Sequence, residues 1–317
     1  MKEYGGYIEF EHFSGSEYHP EAVALNCGRN CLAYLIVSRN IKKISLPYFL
    51  CSSVRETCEK YPVEVSFYHL DKCFRPVLSG ERTDDQYIYI VNYYGLLTKQ
   101  DILLFKEKYG NIIVDNSHAF FQKAVPGVDT HYNCRKYFGV ADGAYLYTDS
   151  EYRGNLETDI SYPRMNYLLG RFEKGANAFY EEYVSNNKIF REEPLKWMSA
   201  LTHNLLRPID YDKVKVTREE NFKTLQKGLA DSNLLDIQIP EGPYAYPYMI
   251  QDAECVRKEL IKRNIYIPVL WPDALQYLEN DAIESGYIRN ILPLPVDQRY
   301  TSKDMEDIIA AIKDITK

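Results

Sequence analysis

The sequence predicts an α/β protein in two parts: a large domain over residues 1–206 built on a mostly parallel sheet, and a smaller α+β domain over 207–317. Three observations carry that prediction. Short apolar strands alternate with helical patterns through the first 150 residues, as βαβ units do. A polar, helical middle runs from about Glu151 to Leu206. After Arg207-Pro208 the pattern changes to helices and Pro- and Tyr-rich strands that suit a second core. A length of 317 residues accommodates both parts.

The elements follow in order. From Gly28, Leu32, Leu35 and Ile36 share one helical face, and a strand at Ile41–Leu46 stops at Pro47. A second strand lies near Val63–Tyr68. Tyr87–Val91 reads as a buried strand ending in Asn92-Tyr93-Tyr94-Gly95, and Thr98 with Asp101 forms a capping box for a helix through Tyr109. Ile112-Ile113-Val114 is the next strand, with Asp115 at its end. In the middle, Glu173–Asn187 is the clearest helix. Beyond 207 the sequence predicts a helix at Asn221–Leu229, a strand region at Tyr244–Ile250, a helix at Asp252–Arg263 and a strand at Ile265–Leu270. The last helix carries Met305, Ile308, Ile309 and Ile312 on one face after Thr301 and Ser302.

Composition narrows the function classes. At 45% hydrophobic and 26% charged residues the chain can bury a core, unlike a disordered sequence. Lys and Arg total 38 against 45 Asp and Glu, a net charge of −7, so the basic footprint of nucleic-acid or anionic-membrane binding is missing. The seven cysteines form no CxxC pair and no regular framework, which favours reduced thiols. The N-terminal segment lacks an apolar signal core, and the longest apolar run, Leu32–Val37, is far shorter than the ~20 residues that span a bilayer. These features lead us to expect a soluble, cytoplasmic protein. Tyrosine is in surplus, 29 against 13 Phe and 2 Trp, and its hydroxyls need partners wherever they are buried.

No G-x-G-x-x-G follows the first strand and no G-x-x-x-x-G-K-[ST] is present, so dinucleotide and NTP cradles are unsupported. No zinc motif occurs, and Asp115, His118 and His131 lack the spacing of a metal ligand set, so no metal is expected. Three polar stations remain. Asn26-Cys27-Gly28-Arg29-Asn30 opens a helix, where a glycine lets backbone N–H groups approach a phosphate; the plain alternative is an ordinary helix start. Asp115 closes a buried strand, where a carboxylate holds a protonated ring nitrogen or simply caps a helix. Lys136 follows Arg135, so an adjacent cation and burial would lower its pKa and free an amine able to form a Schiff base; two solvated cations are the alternative.

Taken in this order, the stations resemble the DegT/DnrJ/StrS-type sugar aminotransferases, within the PLP-dependent fold type I. Leu25-Asn26-Cys27-Gly28-Arg29-Asn30 stands at their phosphate-binding turn, Ile44-Ser45-Leu46-Pro47 at a "V-I-V-P" strand, and Ile90–Gly95 is similar to "V-H-x-Y-G". Ile113-Val114-Asp115-Asn116-Ser117-His118-Ala119 looks like "I-E-D-A-A-Q-A". Lys136 is followed six residues on by Asp142-Gly143-Ala144, in register with the family's acid and small pair. Leu292-Pro293-Leu294 resembles a C-terminal "L-P-L" strand. Three departures stand out. His131 replaces a phosphate-binding Ser five residues before the lysine, Tyr162-Pro163-Arg164-Met165 stands for Asn-Tyr-Arg-Met, and the N-terminal segment is shorter.

The resemblance implies a pyridoxal 5′-phosphate (PLP) aminotransferase, with a Schiff base at Lys136, Asp115 on the pyridine nitrogen and His118 near the ring hydroxyl. It implies cofactor contacts from Gly28, Arg29, Asn30, Cys51, His131 and Asn133, and a homodimer. It also implies glutamate as amino donor and a keto-sugar nucleotide as acceptor. Tyr93, Tyr94 and Trp271 are candidates for substrate contact or for core packing. Two other readings compete: a PLP-dependent sugar dehydratase, disfavoured by the presence of Lys136, and a non-catalytic sensor or interaction protein on the same fold, suggested by the departures at His131 and Tyr162.

Overall fold

The runs Tyr87–Val91 and Ile112–Val114 have almost no polar face, and in the computed structural model, which describes residues 4–80 and 83–317, they lie at the centre of an eight-stranded sheet. The chain passes through β1 (Val23–Leu25), α1 (Gly28–Ser38), β2 (Lys43–Pro47), α2 (Ser52–Glu59), β3 (Glu64–Leu70), β4 (Pro76–Val77), β5 (Gln86–Val91), α3 (Lys99–Tyr109), β6 (Ile112–Asp115), β7 (Asp129–Asn133) and β8 (Ala144–Tyr147). Then come α4 (Asn166–Lys174), α5 (Tyr180–Glu192), α6 (Ala200–Leu206), α7 (Tyr211–Leu229), β9 (Ala245–Met249), α8 (Ala253–Lys262), α9 (Ile283–Asn290), β10 (Ile291–Pro295) and α10 (Ser302–Ile315).

The sheet order is β1-β8-β7-β6-β5-β2-β3-β4. Neighbours from β3 through β7 pair in parallel, while β8 runs antiparallel to both β7 and β1. Parallel sheets are covered on both faces, which explains the unbroken apolar run of β6. Ile112, Ile113 and Val114 are all buried, and such side chains each contribute about 1.5–3 kcal/mol. The expected capping box of Thr98 with Asp101 starts α3, and at α10 Thr301 is the cap, in a box with Asp304, while Ser302 is the first helical residue.

A second core gathers Phe222, Leu225, Tyr246, Tyr248, Leu292, Leu294, Met305 and Ile312 around the β9–β10 pair. Segments from the same half also reach back, with Trp271, Ala274, Tyr287 and Ile291 packing on the large core.

Three elements differ from the sequence expectation. Ile265–Leu270 is not a strand: Asn264 takes a left-handed φ of 60° and the Ile265 N–H returns to the Leu260 carbonyl, closing the end of α8. Pro268 then removes a ladder donor. The helix at Glu173–Asn187 is broken at Gly175, whose φ of 96° caps α4 before α5 begins. The helix at Asn221–Leu229 is the second half of α7, which Asp210 starts by accepting from the Lys213 N–H.

Candidate active site

Because β1 and β7 are each antiparallel to β8, β1 runs with the parallel strands, and the carboxyl ends of β1, β2, β5, β6 and β7 share one edge. Open α/β sheets bind ligands at that edge. Gly28, Cys51, Tyr93, Asp115 and Lys136 all follow or end these strands.

Asp115 ends β6 and is the register partner of His131 on β7. Its carboxylate accepts the Ser117 N–H at 2.8 Å and the Tyr89 hydroxyl at 2.8 Å. The same hydroxyl lies 2.8 Å from His131 Nε2, which stands 3.7 Å from the carboxylate. Burial works to raise the Asp115 pKa, but neighbouring His131 and the bonds from Ser117 and Tyr89 outweigh it and hold the carboxyl below its ordinary range. Burial lowers the His131 pKa against the opposing pull of Asp115, so the imidazole is neutral near pH 7. The hydrogen bonds therefore maintain the Asp115 charge there. His131 Nδ1 is buried without a partner.

Lys136 ends a short 3₁₀ turn, Cys134–Lys136, set by Asn133 Oδ1 accepting the Arg135 N–H at 3.1 Å. The lysine is exposed, and its Nζ lies 5.5 Å from the centre of the Tyr244 ring. Tyr244 raises the Lys136 pKa above the ordinary value, prevailing over desolvation and Arg135, which lower it. The lowered pKa expected from the sequence is thus corrected: Arg135 acts in the expected direction but is outweighed by a tyrosine from the C-terminal half.

His118 lies flat against Tyr244, with ring centres 4.2 Å apart and planes 7° from parallel, and also parallel to Trp271 at 5.8 Å. Burial and the nearby Lys136 push its pKa down to about 3, with Asp115 opposing. It is a neutral ring in an aromatic stack, lying within the electrostatic reach of both Lys136 and Asp115.

At the start of α1, the N-cap Cys27 makes no side-chain capping bond and the first turn holds no acid. A Cβ on Gly28 would lie 3.4 Å from Asn133 Nδ2 and 3.8 Å from His131 Nδ1. The free helix end, the buried His131 ring, the half-buried Asn133 amide and the strand-end carboxylate thus meet at one edge. Arg29 Nη1 stands 3.9 Å from Glu56. Cys51 caps α2, takes a bond from Ser53 Oγ at 3.1 Å and is close enough to act on Lys136.

Other candidates are placed differently. Asn30 uses its amide group on Asn26 Oδ1 at 2.7 Å and the Pro194 carbonyl at 2.9 Å, so its side chain ties down α1 instead of facing a cofactor. Tyr93 is buried, with its hydroxyl on the Phe49 carbonyl at 2.5 Å, and is a core residue. Tyr94 is also buried and backs His118, its N–H 3.5 Å from His118 Nδ1, so it presents no surface to a substrate. Trp271 is half-buried with a left-handed φ of 51°. Asp142 is fully enclosed and accepts from the Ser199 N–H and hydroxyl at 2.8 Å, anchoring the start of α6. Among the described residues no group of three His, Cys, Asp or Glu is arranged for a metal, and no helix is long and apolar enough to cross a membrane.

Sequence reasoning missed Tyr89 and Tyr244. Tyr89 was hidden inside an apolar strand, and only its register beside Asp115 reveals its role. Tyr244 lies more than a hundred residues from Lys136, and no local pattern links them.

No protein-family model matches the sequence, and no curated protein matches it. Solved structures do. A DegT DnrJ EryC1 StrS aminotransferase from Brucella abortus aligns over 92% of this chain and 85% of its own at a TM-score of 0.62 and 13% identity. The sugar aminotransferase CalS13 from Micromonospora echinospora covers 93% and 87% at 0.62 and 12% identity. NtdA from Bacillus subtilis, solved with bound cofactor PMP, covers 93% and 73% at 0.63 and 10% identity. The chain has the fold of these enzymes.

Proposed function

We propose that the protein is a PLP-dependent aminotransferase that moves an amino group from an amino acid, glutamate, to a keto-sugar nucleotide. The observation that carries this reading is the meeting of Lys136, the hydrogen-bonded Asp115 carboxylate and the open start of α1 at one sheet edge. The residues fit the cofactor: Gly28, Asn133 and His131 would hold its phosphate, Asp115 its ring nitrogen, and Lys136 its aldehyde carbon. When bound, PLP supplies an electron sink for reaction at the substrate carbon.

The chain's own groups supply the rest. Asp115, kept ionised by Ser117 and Tyr89, would hold a proton on the ring nitrogen of the bound cofactor. The Lys136 amine, once deprotonated, would take a proton from the substrate carbon as base and return it as acid. The His118, Tyr244 and Trp271 rings stack nearly parallel, and Tyr244 is the ring that faces that amine. Half-buried Trp271 is the substrate contact retained from the sequence candidates.

A homodimer belongs to the same reading. Ile160, Tyr162, Leu169 and Phe172, close in sequence, are 67%, 72%, 62% and 92% exposed, apolar side chains that a second copy would cover.

The test is direct. Protein mixed with PLP should turn yellow, borohydride should fix the label on Lys136, and Lys136→Ala should take no label while keeping its circular dichroism. PLP-loaded protein that has not been reduced should aminate a keto-sugar nucleotide in a glutamate-dependent manner, and borohydride treatment should abolish that activity. Wild-type protein that stays colourless with PLP would make the enzyme reading untenable and favour a sensor or interaction protein.

A further inference from the structure

Tyr89 has one hydroxyl proton and two neighbours that want it: Asp115 Oδ2 and His131 Nε2, each at 2.8 Å. An ionised carboxylate only accepts, so the proton points to Asp115. The second contact is then a hydrogen bond only if His131 Nε2 carries a proton and donates it to the Tyr89 oxygen. The neutral imidazole is thereby fixed in one tautomer, and its Nδ1 is a bare lone pair. That atom is buried, has no partner, and lies on the Gly28 side, beside the uncapped start of α1. A lone pair is the wrong group to meet an anion, yet every other feature there, the helix end, the Asn133 amide and the glycine, suits one.

We propose that His131 is a proton-coupled anchor: an oxyanion bound at the start of α1 brings a proton from solvent onto Nδ1, which becomes a donor to the anion. This rests on the reading above, in which a phosphate ester occupies that position. Nε2–H still donates to Tyr89, and the Asp115 carboxylate beyond it balances the new imidazolium charge. Proton and anion therefore arrive together, each making the other's binding favourable.

The surroundings allow this. On β6 the facing charged group is Asp115, and on β5 the titratable group is Tyr89, whose pKa burial raises well above the ordinary value. At the start of α1 the charged and titratable groups are Arg29 and the thiols Cys27 and Cys31, which burial keeps protonated. Asn133, on the same strand as His131, does not titrate. Asp115 is the facing carboxylate, so it alone makes the protonated ring tenable.

Sulfate is the probe, because it mimics a phosphate ester and does not itself titrate near neutrality. In protein carrying ¹⁵N-labelled histidine, one of six residues, His131 should show a bare Nδ1 and a protonated Nε2 at pH 8. Its signal is assigned by its loss in His131→Gln. Saturating sulfate should convert Nδ1 to the protonated form, and calorimetry in buffers of different ionisation enthalpy should count about one proton taken up per sulfate. The calorimetric count needs no variant, so a poorly folded His131→Gln does not stop the test. Sulfate that fails to bind, or binds with no proton uptake, overturns the proposal. Yellow colour with PLP but no proton uptake with sulfate would sink the anchor and leave the aminotransferase reading standing.

Discussion

The Tyr89 hydroxyl donates to Asp115 at 2.8 Å from the neighbouring strand, so the carboxylate at the sheet edge is supported from inside the core. Both residues are buried, and removing one partner leaves the other exposed to a full desolvation cost. Tyr89→Phe should therefore lower the urea-unfolding free energy by about 1–3 kcal/mol at pH 7.5. It should also raise the Asp115 pKa, read by ¹³C carboxyl shifts. An unchanged Asp115 titration would mean that the hydroxyl does not hold the charge.

Acid should destabilise the fold with a histidine signature. Burial lowers the pKa of His118 to about 3 and of His19 to about 4, against an ordinary value of 6.5. Between pH 6.5 and those values the unfolded chain binds protons that the folded chain refuses, so stability is complete above pH 6.5 and falls as pH drops. At about 1.4 kcal/mol per unit, each ring costs of the order of 2 kcal/mol by pH 5. Asp115, with its lowered pKa, adds a loss of the same sign further down, below the unfolded value of about 3.9. Urea midpoints measured from pH 7.5 to 5 should fall, and His118→Gln should flatten part of the slope. A midpoint constant over that range would contradict buried neutral rings.

The sheet edge was legible because strand ends are written in local sequence: apolar runs that stop at Asp115 or Pro47, and a glycine before the first long helix. Their convergence follows from parallel topology, which the alternation already implies. What sequence left unread was electrostatic and non-local. Arg135 is adjacent to Lys136 in the chain and suggested a depressed amine, but Tyr244, packed from the C-terminal half, reverses the direction. Asn30 and Tyr93 sit at the right places in the motif, yet hydrogen bonds to the Pro194 and Phe49 carbonyls commit them to the scaffold. β7 escaped notice because Asp129-Thr130-His131-Tyr132-Asn133 is polar in sequence although its first four residues are buried.

Tyr244 should set the pH at which Lys136 reacts with PLP. The phenol raises the amine pKa above the ordinary 10.5, so capture of PLP should speed up with pH well into the alkaline range. Tyr244→Phe keeps the ring against His118 and removes the hydroxyl. Its rate of colour development should reach half-maximum at a lower pH than wild type, and be faster at pH 8.5. Superimposable rate profiles would assign the raised pKa to another group.

Gly28 separates stability from binding. It opens α1 with no left-handed φ, and an added Cβ would make only ordinary contacts with Asn133 and His131, at 3.4 and 3.8 Å. The folded chain therefore accommodates alanine, and the loss of unfolded-state freedom stabilises it by about 0.4–1 kcal/mol. The same methyl group would cover the approach to the α1 N–H groups and to His131 Nδ1, where the proposed phosphate would lie. Gly28→Ala should consequently melt no earlier than wild type while binding PLP and sulfate at least about tenfold more weakly, a difference of roughly 1.4 kcal/mol. A general packing defect would lower both quantities together, and an anion site elsewhere would leave affinity unchanged. Only a cradle at the start of α1 moves the melting temperature and the affinity in opposite directions.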